Sequence, residues 1–165
     1  MSDRPAPARP SLASPAVLIA TGLGTGYLPK APGTWGSLLA AVLAWPIAQA
    51  GGTPALLVAA VLATGVGTWA TGVYMARTGT HDPGSVVIDE VAGQWLALAL
   101  CPLHPLWWVV AFVAFRVADI TKPFPANRID RDMHSPFGVM LDDLVAGAYA
   151  ALVVWIAAAW LWTVP

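Results

Sequence analysis

Two pairs of adjacent acids, Asp89-Glu90 in SVVIDEVAGQW and Asp142-Asp143 in GVMLDDLVAG, each stand at the entrance to an apolar run. Carboxylate oxygens suit hard cations such as Mg2+. A single acid in a first helical turn already serves the helix dipole. Adjacent acids pointing in different directions suggest ligation, or support of a ligand. Two such pairs on one side of the apolar segments read as a metal site. Between them, Arg116, Asp119 and Lys122 in FRVADITKP recur every three residues and share one helix face. One reading is an ion pair plus a cation near a helix C-terminus. The other gives Arg116 and Lys122 to phosphate oxygens, with Asp119 holding metal or orienting Arg116.

Three further features bear on the same chemistry. In PGTWGS (32–37), small residues let a backbone approach an anion, and Thr34 or Ser37 can cap the following helix, whose N-terminus attracts phosphate. A structural N-cap alone explains that stretch equally well. His81-Asp82 and His134 lie in polar loops near the acids, where they are either plain polar surface or a means of moving protons or binding phosphate. No CxxC, HExxH or GxSxG occurs, and the single cysteine, Cys101, excludes an internal disulfide and reads as an inert thiol beside Pro102.

The elements that must position these residues are apolar. The chain is 58% hydrophobic and 10% charged, against about 25% charged for an ordinary soluble domain. Its net charge of −1 and lack of a basic stripe argue against nucleic acid. Residues 31–76, 91–115 and 144–165 contain no Asp, Glu, Lys or Arg. Apolar segments fall at 16–28, 37–50, 54–76, 86–101, 106–118 and 141–162, with Gly51-Gly52-Thr53-Pro54 as a breaker and Pro102, His104 and Pro105 as a turn. Segment 86–101 reaches only ~24 Å as a helix, so it spans barely. If the last five cross in alternation, every Lys and Arg lies on one side, and the opposite turns carry none. That is the positive-inside pattern, which makes the charged face cytoplasmic. Trp107, Trp108, Trp160 and Trp162 fall near the far interface. The expected fold is therefore all-α: a polytopic membrane helical bundle of about five crossings. A short, Gly-broken interfacial or re-entrant helix over 16–28 precedes it. Residues 1–15, rich in Pro, Ala and Ser, form an expected disordered tail ahead of a single domain over 16–165. A signal peptide is the competing reading of the N-terminus, weakened by Gly22, Gly24 and Gly26 in its apolar part.

In this order, PGTWGSL (32–38), HDPGSVVIDEVAGQW (81–95), FRVADITKPFP (115–125), DRDMH (130–134) and GVMLDDLVAG (138–147) resemble phosphatidylglycerophosphatase A. The resemblance covers 16–160 in outline, and Ser135-Pro136 stand where that family often has two glycines. It implies a small bacterial inner-membrane, Mg2+-dependent phosphatase that converts phosphatidylglycerophosphate to phosphatidylglycerol. With the one-sided Lys and Arg distribution the active site is expected to face the cytoplasm, and no obligate protein partner is evident. Metal candidates are then Asp89, Glu90, Asp142, Asp143 and Asp82. Catalytic candidates are Asp89, Glu90, Asp119, Asp142, Asp143 and His81, and substrate-binding candidates are Thr34, Ser37, Arg116, Lys122 and His134. With no serine or cysteine nucleophile evident, a metal-activated water is the preferred attacking group, and an aspartyl-phosphate the minority alternative. An ion-coupled transporter is the rival class, but it usually carries its acids near the bilayer midplane on broken helices. A purely structural membrane subunit would need neither acidic pair.

Overall fold

In the computed structural model, which describes residues 9–81 and 83–163, the longest apolar stretch folds as one helix broken by one glycine. This helix, α2, runs Pro32–Thr78, and inside it only Gly52 departs from helical geometry, with φ 58° and ψ −150°. Such a backbone conformation is essentially confined to glycine. Contacts with α3 (Ile88–Ala99) reveal what the break does. Before it, Gly36 abuts Val87, and the Trp95 indole donates to the Ala40 carbonyl at 2.9 Å. After it, the Thr53 hydroxyl donates to the Ala99 carbonyl at 2.6 Å, and Gly67 abuts Ile88. The first arm therefore runs alongside α3 and the second runs back, with the hairpin apex at Gly52. Pro54 begins the second arm, where its missing N–H is not needed.

The breaker expected at 51–54 is thus narrower than its sequence suggests. The remaining helices are α1 (Pro15–Ala20), α4 (Pro105–Thr121), α5 (Ala126–Asp132) and α6 (Pro136–Thr163), with a 3-10 turn at Thr25–Tyr27. Every element among the described residues is helical. Two helices, α2 and α6, are long and apolar enough to cross a membrane.

The segment expected at 86–101 is shorter than its apolar run. Its helix has 12 residues, ~18 Å at 1.5 Å per residue, against a hydrocarbon core of about 30 Å. At its start the Val87 N–H is committed to the Ala20 carbonyl at 2.9 Å. At its end, Leu100 closes the helix and the chain turns past Pro102 and Pro105. The α1 helix, six residues long, packs Val17 and Ala20 against Ala70, Tyr74 and Val86. Residues 9 and 10 are tied to the 3-10 turn: Arg9 donates to the Tyr27 carbonyl at 2.9 Å, and the Tyr27 hydroxyl donates to the Pro10 carbonyl at 2.6 Å.

Small residues draw α3, α4 and α6 together. Ala97, Phe115, Ala146 and Ala150 form one buried cluster, and Ala63, Ala92 and Met140 another. At Gly93 the approach is so close that an added Cβ would lie 2.5 Å from the Asp143 carbonyl oxygen. This contact sets the acidic turn of α6 against the acidic turn of α3.

Candidate active site

Four helix ends and two loops meet around one cavity of about 300 Å³. The start of α2 contributes Pro32 and Gly33, and the first turn of α3 contributes Asp89 and Glu90. The last turns of α4 bring Arg116 and Asp119, and the second turn of α6 brings Asp142 and Asp143. Lys122 caps α4 in the left-handed region (φ 41°), ahead of Pro123, and its side chain also enters the cavity. His81 and His134 line the cavity from the loops, their ring centroids 6.2 Å apart.

Glycine at position 33 is what lets the start of α2 reach this group. A Cβ there would collide with Glu90 Oε1 and would lie 3.1 Å from Arg116 Nη1. The Arg116 guanidinium donates to Asp119 Oδ2 at 2.6 Å and to the Ser37 hydroxyl at 3.3 Å, and stands 3.9 Å from Glu90 Oε1. The Ser37 hydroxyl in turn donates to the Gly33 carbonyl at 2.8 Å. The guanidinium is therefore fixed between α2 and its own helix, as charge-assisted bonds require.

Lys122 is held by carboxylates on three elements: it bonds Asp142 Oδ2 and lies 3.1 Å from Asp130 and 4.0 Å from Asp119. Burial pulls its pKa down, but the hydrogen bond to Asp142 and the neighbouring negative charges outweigh it and raise the ammonium above the ordinary lysine value. A raised lysine pKa keeps the group charged throughout the neutral range.

Asp89, Glu90 and Asp143 remain as a group that, among the described residues, has no cationic side chain at its centre. Each offers an oxygen within 4.8 Å of the others. Asp89 Oδ1, Glu90 Oε2, Asp142 Oδ1 and Asp143 Oδ2 are buried and have no hydrogen-bond partner among the described residues. Like charges so close, with orphaned oxygens, are costly unless protons or a cation intervene. The donor set is all oxygen, which fits a hard divalent cation such as Mg2+.

Nearly all of the residues singled out from sequence converge here, with differences in role. Thr34 does not line the cavity, and neither it nor Ser37 caps α2. The N-cap is Ala31, in the left-handed region, because the helix begins at Pro32 and places both hydroxyl residues inside its opening turns. Ser37 reaches the site only through Arg116. Asp142 faces Lys122, whereas Asp143 joins Asp89 and Glu90. Asp82 lies outside the described residues. Asp130, which the sequence reading gives no role, joins the site through Lys122 at 3.1 Å, and its place in DRDMH (130–134) is the signal that points to it. The acids occupy helix ends at one face rather than mid-helix breaks, unlike the transporter arrangement.

Residues 18–158 match the family described as phosphatidylglycerophosphatase A. The chain belongs to the phosphatidylglycerophosphatase A family. A Haemophilus influenzae protein named phosphatidylglycerophosphatase A is 38% identical over 152 residues, covering 92% of this chain and 93% of the relative. An Escherichia coli protein of the same name is 39% identical over 152 residues, covering 88% and 85%. No solved structure matches the chain significantly. The phosphatidylglycerophosphatase A match contains every cavity residue named above and gives the transporter reading no support.

Proposed function

We propose that this protein hydrolyses the terminal phosphomonoester of phosphatidylglycerophosphate, giving phosphatidylglycerol and inorganic phosphate, at the cytoplasmic face of a bacterial inner membrane. The observation that carries the reading is the placement of Asp89, Glu90 and Asp143 beside the Arg116 guanidinium in one cavity. A phosphomonoester dianion needs its charge neutralised, and an Arg fork with an acid-held cation does so from two sides. The cytoplasmic orientation rests on the one-sided Lys and Arg distribution. About five crossings follow if the two arms of α2, then α3, α4 and α6 alternate, with the thin α3 served by local bilayer thinning.

Asp89, Glu90 and Asp143 would hold Mg2+, which when bound supplies Lewis-acid neutralisation of phosphate charge. Arg116 binds and orients a phosphate oxygen with the guanidinium that Asp119 and Ser37 hold in place. Hydrolysis adds a water oxygen to phosphorus, breaks the bond from phosphorus to the glycerol oxygen, and moves a proton from the water to that leaving oxygen. In this reading an orphaned carboxylate oxygen such as Asp142 Oδ1 takes the proton from water. His81 or His134, both in the cavity wall, gives one to the glycerol oxygen. Lys122 serves the site by holding Asp142, Asp130 and Asp119 in register, and its commitment to them leaves it little freedom to grip substrate.

Purified protein in detergent should release inorganic phosphate from phosphatidylglycerophosphate with Mg2+ present, and EDTA should abolish the release. Undiminished release in EDTA would remove the cation from the reaction. No release under any divalent cation would remove the phosphatase reading itself.

A further inference from the structure

Gln94 is fully buried, and neither atom of its amide has a hydrogen-bond partner among the described residues. A primary amide shut away from water without partners destabilises a fold, and a leucine of similar volume would pack there at lower cost. The group therefore calls for a reason, and its position supplies one. Gln94 follows Glu90 by four residues on α3, so the two share a helix face. Helical side chains lean toward the N-terminus, which carries the Gln94 amide back toward the Glu90 turn.

Glu90 has an orphan of its own. Its Oε1 stands 3.9 Å from Arg116 Nη1, while its Oε2 is buried and unpartnered among the described residues. Arg116 Nε is likewise buried and unpartnered. One ion pair thus has an unused acceptor, an unused donor and, one helical turn away, an amide with both. A single water among them would accept from Arg116 Nε and Gln94 Nε2 and donate to Glu90 Oε2 and Gln94 Oε1. Such a set of partners falls within the usual range for a buried water.

The geometry points to Gln94 as a positioning residue that fixes, through that water, the direction in which Glu90 presents its carboxylate to Asp89 and Asp143. This inference rests on the reading of those three acids as a cation site. Gln94 touches neither substrate nor reacting atoms. Its effect runs through Glu90, as the outer partners of metal-ligating groups generally act.

The test compares Gln94→Leu with the wild type as full chains in detergent. The first readout is the thermal unfolding midpoint in EDTA. The second is the Mg2+ concentration that gives half of the cation-induced rise in that midpoint, a measurement without turnover. The third is kcat and KM on phosphatidylglycerophosphate. The midpoint in EDTA should be unchanged or raised, since an orphaned amide is gone. Half-saturation by Mg2+ should move up about tenfold, and kcat should fall about 10- to 100-fold with KM little changed. Wild-type half-saturation and kcat in the variant would overturn the proposal. So would a fall in midpoint that parallels the loss of activity, which would mark Gln94 as packing alone. Should Gln94→Leu fail to fold, Gln94→Met, unbranched and of nearly the same length, is read by the same outcomes. Wild-type protein that responds to Mg2+ but releases no phosphate would sink the phosphatase reading and leave Gln94 to be judged by the titration. Wild-type protein whose midpoint ignores Mg2+ would overturn the cation site and this inference with it.

Discussion

Near the Gly52 apex, Trp45 and Trp108 meet edge to face at 4.7 Å, and Ala44, Leu56, Leu98, Ala111 and Val154 close around them. At the opposite end, the same helices bring Asp89, Glu90, Arg116, Asp119, Asp142 and Asp143 to one cavity. The apolar end is filled by bulk, with aromatic rings taking up the space between helices. The polar end closes on Gly33 and Gly93, where the backbone comes close enough for side chains of neighbouring helices to share charges. The contrast teaches a division of labour. Packing at the apolar end brings the helices together without needing a ligand, and the stability it supplies lets the other end carry clustered acids whose buried oxygens Asp89 Oδ1, Glu90 Oε2 and Asp143 Oδ2 have no hydrogen-bond partner among the described residues. If so, substitutions at the polar end should cost activity while sparing stability, and substitutions at the apolar end should do the reverse.

The largest effect is expected at Asp143. Asp143→Asn keeps the shape and removes one of three clustered carboxylates. Loss of one cation ligand should lower kcat on the order of 10³-fold, about 4 kcal/mol of transition-state stabilisation. The thermal unfolding midpoint in EDTA should hold or rise, because like-charge repulsion among buried acids is relieved. Activity and unfolding measured on the same preparation check both halves. Turnover close to wild type would remove Asp143 from the site and leave Asp89 and Glu90 without their third partner.

How far this division could be read in advance varies along the chain. The acidic pairs and the Arg116–Lys122 face were legible because charge is rare here and a helix repeats its faces at fixed spacing. The helical class and the turn at Pro102–Pro105 were legible for similar reasons. The partition within each acidic pair was not. Adjacent residues on a helix point about 100° apart, and only the packing of α4 and α3 against α6 decides that Asp142 meets Lys122 while Asp143 meets Asp89. The same limit applies to Gly33, whose value lies in what a Cβ would strike on α3 and α4. The shortness of α3 was hidden because Val86 and Val87 are as apolar as the helix they precede, and a backbone bond to Ala20 decides the boundary.

A middle-sized effect should follow from Arg116→Lys. The planar guanidinium serves Asp119 and Ser37 at once and keeps further N–H groups for phosphate, which a lysine's point charge cannot copy. Losing a charge-assisted hydrogen bond worth about 1.5–3 kcal/mol should lower kcat/KM roughly 10- to 100-fold. The Mg2+ concentration for half-maximal activity should stay near the wild-type value, because Arg116 acts on the phosphate and not on the cation. A kinetic titration of Mg2+ on both proteins checks this. Ordinary kinetics in the variant would reduce the Arg116 face to a structural ion pair. A large shift in the Mg2+ requirement would mean instead that Arg116 acts by orienting Glu90, 3.9 Å away.

The smallest effect on catalysis is expected at the apolar end, where it sharpens the comparison most. Trp45→Leu removes one ring of the 4.7 Å pair and leaves an apolar side chain in place. An edge-to-face aromatic pair contributes about 0.5–1.5 kcal/mol beyond its burial. A loss of that size lowers the unfolding midpoint by a few degrees in a chain of this length, at roughly 2–4 °C per kcal/mol. At a temperature well below the midpoint, kcat and the Mg2+ half-saturation should both stay within about twofold of wild type, since no cavity residue touches the pair. Unfolding in detergent with parallel phosphate-release assays would read both quantities. A fall in kcat at full folding would mean that the Trp45–Trp108 contact sets the angle at which α4 presents Arg116 to the start of α2. The two ends would then be one mechanical unit, and the independence of packing from chemistry would have to be given up. An unchanged kcat with a lowered midpoint is the outcome that small-residue contacts at one end and aromatic contacts at the other demand.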